Sequence, residues 1–136
     1  MSGENVEFLR RGYDAMNEML ERRDIDRAQI EEFWTEDCVL RPAGILPESA
    51  EMHGHDGIVR FIENQLEAFD ELQIEALEWI DAGDRVVVPI RFGGRARYTG
   101  MDVAFEVVHV VTLRDGRVAR TDMYREKEEA LRAVGL

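Results

Sequence analysis

An Asp-Gly pair between two β-rich runs restricts the 136-residue chain more than any other feature. The pair is Asp115-Gly116; the runs are Met101 to Leu113 and Arg117 to Tyr124. Asp-Gly tolerates the positive φ angles of a tight turn, so the two runs predict an antiparallel hairpin. Strict alternation places Val103, Phe105, Val107, Val111 and Leu113 on one face of the first run. His109 is the only polar residue in that stripe. A lone imidazole there has two readings. It faces a ligand, or it is a buried ring bonded to a neighbour.

Turn geometry sets what stands beside His109. A two-residue turn pairs Leu113 with Val118 and His109 with Asp122, which makes an Asp–His pair. A three-residue turn with Gly116 in the bulge position pairs Leu113 with Arg117 and His109 with Thr121. Ala119 and Met123 then join the stripe. One residue of slip exchanges the faces of the second strand. The three-residue turn is favoured, because it brings Ala, Thr and Met to an apolar face where the other brings Arg120 and Asp122.

The rest of the chain supplies the cover that such a strand needs. Residues 4–22 repeat Val6, Leu9, Tyr13, Met16 and Leu20 at helical spacing. A short second helix follows, with Asp26 and Gln29 in capping-box spacing and Ile30, Phe33 and Trp34 on its buried face. Asp37 to Arg41 reads as a short strand with Val39 and Arg41 on one face, and a loop follows from Pro42 through Met52. His55-Asp56 opens a third helix running to about Phe69, with Ile58, Phe61, Ile62, Leu66 and Phe69 as its stripe and Gln65 on the Phe61 flank.

Strands then take over. Leu72 to Ala76 alternates and slips at Ala76-Leu77, which predicts a bulge. Val86 to Phe92 carries Pro89, which predicts an edge or bulge position. Gly93-Gly94 bends the chain toward Tyr98, and Thr99-Gly100 turns it into the hairpin. Glu126 to Val134 is a closing helix anchored by Leu131 and Val134, with Gly135 as its stop. The order is α-α-β-α-β-β-β-β-α. Helices laid on one face of a curved, mostly antiparallel sheet are the α+β solution, and residues 1–136 form one such domain.

Composition excludes several function classes. A formal net charge of -12 opposes nucleic acid and anionic membrane as partners, since both require a basic surface. The single cysteine, Cys38, forms no internal disulfide and predicts a small buried hydrophobe. No apolar run reaches membrane length and no signal segment precedes the first helix, so a cytoplasmic setting is the expectation. Glu51, His53 and His55 alternate like metal ligands, but no further cluster supports them, and neither a metal nor a cofactor is expected.

Five segments carry a family resemblance. They are Asn5–Asn17, His53–Ile58, Asp81–Val88, Leu113–Val118 and Ala130–Leu136. Together with the element order they resemble the nuclear transport factor 2-like superfamily, on the branch of SnoaL-like, ketosteroid-isomerase-related proteins. The resemblance spans nearly the whole chain. It implies a cone, or cystatin-like roll, in which helices and bent sheet enclose a hollow. It also implies a homodimer; the apolar residues Val108, Val110, Val118 and Tyr124 on the convex sheet face give that a physical motive. Superfamily members perform several unrelated chemistries, so the fold does not choose among them.

Position by position, the known catalytic sets match poorly. The Tyr, Asp and Asp places of ketosteroid isomerases fall on Gly12, Arg41 and His109. The last-strand aspartate of limonene-epoxide-hydrolase-like and SnoaL-like members falls on Met123. Three hypotheses remain open. In the first, His109 is a general acid or base and Arg41 steadies an enolate or carbonyl. In the second, the same hollow binds a small hydrophobic molecule without turnover. In the third, His109 is structural. The lining expected for a ligand is Tyr13, Met16, Phe33, Phe61, Gln65, Phe105, Val107, Thr121 and Met123.

Overall fold

The computed structural model describes residues 2–42 and 51–136. Their order is α1 (Ser2–Arg22), α2 (Arg27–Phe33), β1 (Trp34–Arg41), β2 (Met52–His53), α3 (Gly54–Ala68), β3 (Phe69–Ala76), β4 (Ile80–Ala82), β5 (Arg85–Ala96), β6 (Asp102–Arg114), β7 (Arg117–Tyr124) and α4 (Lys127–Ala133). The strands form one open sheet in the order β2-β1-β7-β6-β5-β3, and β4 extends the β3 side of β5. Every pairing is antiparallel except β1 with β7. The result is the expected α+β architecture, helices laid on one mostly antiparallel sheet.

Local chemistry explains the helix ends. Asp26 caps α2, its Oδ1 accepting from the backbone N–H of Ala28 at 3.0 Å and of Gln29 at 3.4 Å. At the end of α1, Arg23 takes φ 55° and the Asp24 N–H returns to the Met19 carbonyl, a Schellman closure without glycine. The Arg23 guanidinium then donates to the carbonyls of Leu66 and Phe69, tying α1 to the end of α3.

Several boundaries differ from expectation. Trp34 and Phe69 begin β1 and β3 instead of ending helices. In both cases a run that is apolar at helical spacing is claimed by a sheet partner, Val118 and Ala96 respectively. Met52-His53, expected as loop, pairs with Leu40 and Val39 as β2. Residues 43–50 of that expected loop lie outside the described residues. The slip at Ala76-Leu77 is a break between β3 and β4, and the bulge in β3 sits instead between Asp70 and Gln73, where Glu71 has φ 52°.

That break explains Pro89. Its strand β5 is internal, paired with β6 on one side and with β3 and β4 in turn on the other. Pro89 lies opposite the gap, after Ile90 pairs with Ala76 and before Val87 pairs with Ile80. Its carbonyl accepts from the Leu77 N–H at 2.8 Å, so its nitrogen also points at the gap, where no ladder donor is needed.

Two apolar clusters fill the concave side. Leu9 of α1 packs on Val86, Val88, Ile90, Val107, Val111, Leu113 and Val118. Met19, Leu20, Ile30, Cys38, Leu40, Ile58, Ile62 and Leu72 form the second cluster beneath the three N-terminal helices. Cys38 is fully buried, and burial pushes its thiol up to about 11, which suits the expected inert hydrophobe.

The other face of the sheet corrects one expectation. α4 lies there, and its Ala130, with no exposed surface, packs on Val87, Val108 and Val110, with Tyr124, Leu131 and Val134 around them. The apolar patch that motivated a dimer is therefore covered within the chain. Val118, placed on that patch by simple alternation, belongs to the concave cluster instead.

Candidate functional site

The hairpin takes a form that neither turn alone describes. Arg114 pairs with Arg117 and Leu113 with Val118 across Asp115-Gly116, whose φ angles are 53° and 75°. That is the two-residue turn, with both central residues left-handed, and it corrects the preference for three residues. A bulge follows at Ala119, because Thr112 pairs with Arg120 and not with Ala119. The inserted residue moves the register by one, so His109 pairs with Met123 and Asp122 pairs with Val110 on the opposite face. Thr121 and Met123 thus reach the His109 face by a different route from the one expected.

His109 stands at the seam of the two clusters. Val88 beside it on β5 belongs to the first, and Met123 beside it on β7 packs against the second. α1 crosses above, and the Tyr13 hydroxyl lies 3.0 Å from His109 Nδ1, the rings meeting edge to face with centroids 6.0 Å apart. Both rings lie deep in the protein and both keep some accessible surface. Burial lowers the His109 pKa to about 4 and raises that of Tyr13, so both side chains are neutral at physiological pH.

The second ring nitrogen of His109, Nε2, has no partner among the described residues. Among those residues no fully enclosed side-chain nitrogen or oxygen lacks a hydrogen bond. Nε2 therefore borders accessible space.

Arg41 is not part of this arrangement. Its strand neighbour Asp122 shares a face with Val110, which lies beneath α4, and Arg41 Nε donates to Asp122 Oδ1 at 2.8 Å. Arg120 Nε donates to the same carboxylate at 2.9 Å, and its Nη2 reaches Glu51 at 3.3 Å. The guanidinium of Arg41 also lies 5.2 Å from the Tyr124 ring centroid. Two arginines beside Asp122 hold its carboxyl below the usual range although burial opposes them. His109 and Arg41 were expected to act together, but the sheet separates them, because adjacent residues of a strand point to opposite faces.

The expected lining is distributed. Val107 is buried in the first cluster, while Met16, Phe61 and Met123 pack at the border of the second. Thr121 is buried beside Val111 and Leu40. Phe33 is half-buried against Phe8, with centroids 5.0 Å apart. Phe105 stacks on Phe92 at 4.6 Å and is 36% exposed, so it stands at the rim. Gln65 is half-buried, and its backbone carbonyl accepts from the Phe69 N–H. His53 is exposed with Glu51 at 3.4 Å, and His55 Nε2 bonds the Trp34 carbonyl at 2.9 Å; these two do not converge on one point.

Around Tyr13, residues absent from the sequence-based set stand on the outer flank of α1. A hollow of about 640 Å³ opens between that helix and β3, lined by Arg10, Tyr13, Asn17, Ile74 and Trp79 among others. Trp79 lies 5.5 Å from the Tyr13 ring, and the Arg10 guanidinium lies 5.1 Å from the Trp79 ring. Asn17 fixes the wall: its Nδ2 donates to the Ile74 carbonyl at 2.7 Å and its Oδ1 accepts from the Ile74 N–H at 2.9 Å. The spacing Arg10, Tyr13, Asn17 puts the three on one helix flank and was legible; Trp79 was not, because it sits in the break after β3.

Comparison with known proteins assigns the family. The SnoaL-like domain model matches residues 9–121. No curated protein sequence matches the chain. A proposed SnoaL-like polyketide cyclase from Jannaschia sp. CCS1 superposes with a TM-score of 0.77 at 21% identity, covering 98% of this chain and 92% of that one. A protein of unknown function with the nuclear transport factor 2-like fold, from Burkholderia pseudomallei, gives 0.74 at 24%, covering 98% of each chain. TerC, co-crystallised with polyporic acid, gives 0.74 at 20%, covering 98% of this chain and 99% of its own. Identities this low speak for shared fold alone. The domain match across most of the length, on a fold that these structures share, makes this chain a member of the SnoaL-like family.

Proposed function

We propose that the protein binds a small hydrophobic molecule on the concave face of its sheet, with the Tyr13–His109 pair as the polar contact. One observation carries this reading: His109 Nε2 borders accessible space while Nδ1 is held by Tyr13. The apolar surroundings named above supply the contact area, and a few placed polar groups in an apolar site are how such sites orient a ligand. TerC, of like fold, was co-crystallised with polyporic acid.

Turnover is the second reading, favoured by family membership and by the resemblance of the fold to a proposed polyketide cyclase. His109 would then act as acid or base in isomerase or cyclase chemistry. Its low pKa and the turning away of Asp122 make it a weak base at neutral pH, so binding is the stronger proposal. Titration of a panel of hydrophobic ligands, read by tryptophan fluorescence, tests it. His109→Ala is expected to weaken the best ligand about tenfold, the value of one hydrogen bond in a desolvated site. Unchanged affinity removes His109 from the site.

A homodimer belongs to the same proposal, on the part of the outer face that α4 leaves bare, around Arg41 and Arg120. Light scattering at micromolar concentration is expected to give twice the 15.7 kDa chain mass. A monomer mass discards the dimer and leaves ligand binding untouched.

A further inference from the structure

We infer that the Tyr13–His109 pair is a fixed hydrogen-bond donor and not a base. The phenol donates to Nδ1, the ring proton stays on Nε2, and Nε2–H is offered to an uncharged ligand bearing a carbonyl on an apolar body. The inference rests on the binding reading above and names its ligand class.

Hydrogen-bond supply and demand give the direction. A phenol has one proton to donate, and a neutral imidazole has one donor and one acceptor nitrogen. Tyr13 has His109 as its hydrogen-bond partner, and no second acceptor for its hydroxyl exists among the described residues. If Nδ1 carried the proton, the phenol oxygen would accept it and the phenol O–H would be left without an acceptor. With the phenol donating, one bond satisfies both the phenol O–H and Nδ1, and only the Nε2–H, which borders accessible space, is left open. The phenol is also the stronger donor of the two and the imine nitrogen the stronger acceptor. The bond at Nδ1 then sets the tautomer and leaves the proton on Nε2.

Burial decides what that donor can meet. The surroundings keep phenol and imidazole uncharged. Asp122, whose carboxylate could have balanced an imidazolium, is engaged by Arg41 and Arg120 on the other side of the sheet. Arg10, three residues before Tyr13 on α1, lies against Trp79 on the outer flank. A carboxylate or ammonium ligand would lose its hydration without gaining a counter-charge. A carbonyl needs one donor, and a neutral imidazole is able to polarise it.

The test has two independent arms. In the ligand-free protein at neutral pH, a long-range proton–nitrogen correlation spectrum reads the His109 tautomer. The expected result is a protonated Nε2 and a bare Nδ1, with Tyr13→Phe losing that fixed pattern. In the second arm, 1-tetralone and its hydrocarbon counterpart tetralin are titrated against wild type and Tyr13→Phe. The ketone is expected to bind wild type about tenfold more tightly than tetralin, and the preference to shrink several-fold in the variant. A proton on Nδ1, a charged ring, or equal affinity for the two probes overturns the inference while binding stands. Absence of binding by either probe overturns the binding reading and the inference together. Should Tyr13→Phe fail to fold, the wild-type tautomer and probe pair still decide.

Discussion

Replacing Ala130 by arginine is expected to cost about 4 kcal/mol of folding stability. Ala130 has no exposed surface and is the residue by which α4 seats on Val87, Val108 and Val110. An arginine has neither room nor a counter-charge there, so either a charge is buried or the helix lifts. A natural domain has roughly 5–15 kcal/mol in all, so the loss is a large share. Chemical denaturation measures it, and the uncovered strands are expected to bring concentration-dependent association. Ala133→Arg, at an exposed position of the same helix, is the control and is expected to be nearly neutral. Equal stability of the two variants would mean that α4 is not the cover of this face, and the case for an intact outer surface would go with it.

The second large effect is a dependence on pH. His109 has a folded pKa of about 4, against about 6.5 for an unperturbed histidine, because burial disfavours the charged ring. Above about pH 6.5 the ring is neutral in both states and contributes nothing to the slope. As pH falls below that value, the unfolded chain takes up a proton that the folded chain does not, and stability declines until the folded ring also titrates. The loss approaches about 3 kcal/mol by pH 4 or so. Carboxylates titrate in the same window, so the quantity to measure is the stability difference between wild type and His109→Gln. That difference is expected to shift against wild type by about 2 kcal/mol between roughly pH 7 and pH 5. A constant difference would mean that the ring is solvated, and the concave site would lose the dryness on which its hydrogen bonds depend.

Much of this molecule was legible before any coordinates. The period of 3.6 in Val6, Leu9, Tyr13 and Met16 and the period of 2 in β6 gave α1 and the central strand, because amphipathic periodicity is a local property. The cap at Asp26 and the turn at Asp115-Gly116 were local as well. The need of the Tyr13 hydroxyl for a partner could also be stated from the residue alone. Errors gathered where local preference met a distant strand. Trp34 and Phe69 fit a helix stripe and were taken by ladders, since pairing satisfies a whole backbone and a helix end satisfies little.

Only the folded chain decided the site. Whether His109 faces Asp122 or Met123 turned on one extra residue at Ala119, and a bulge has no signature in that run beyond the residue count. The same parity sent Arg41 to the far side with Asp122 and left Tyr13, 96 residues away in sequence, as the partner of the ring. Composition and spacing chose the elements and the stripe that holds the imidazole. Register and helix docking, which depend on contacts between segments far apart in the chain, chose what that imidazole touches.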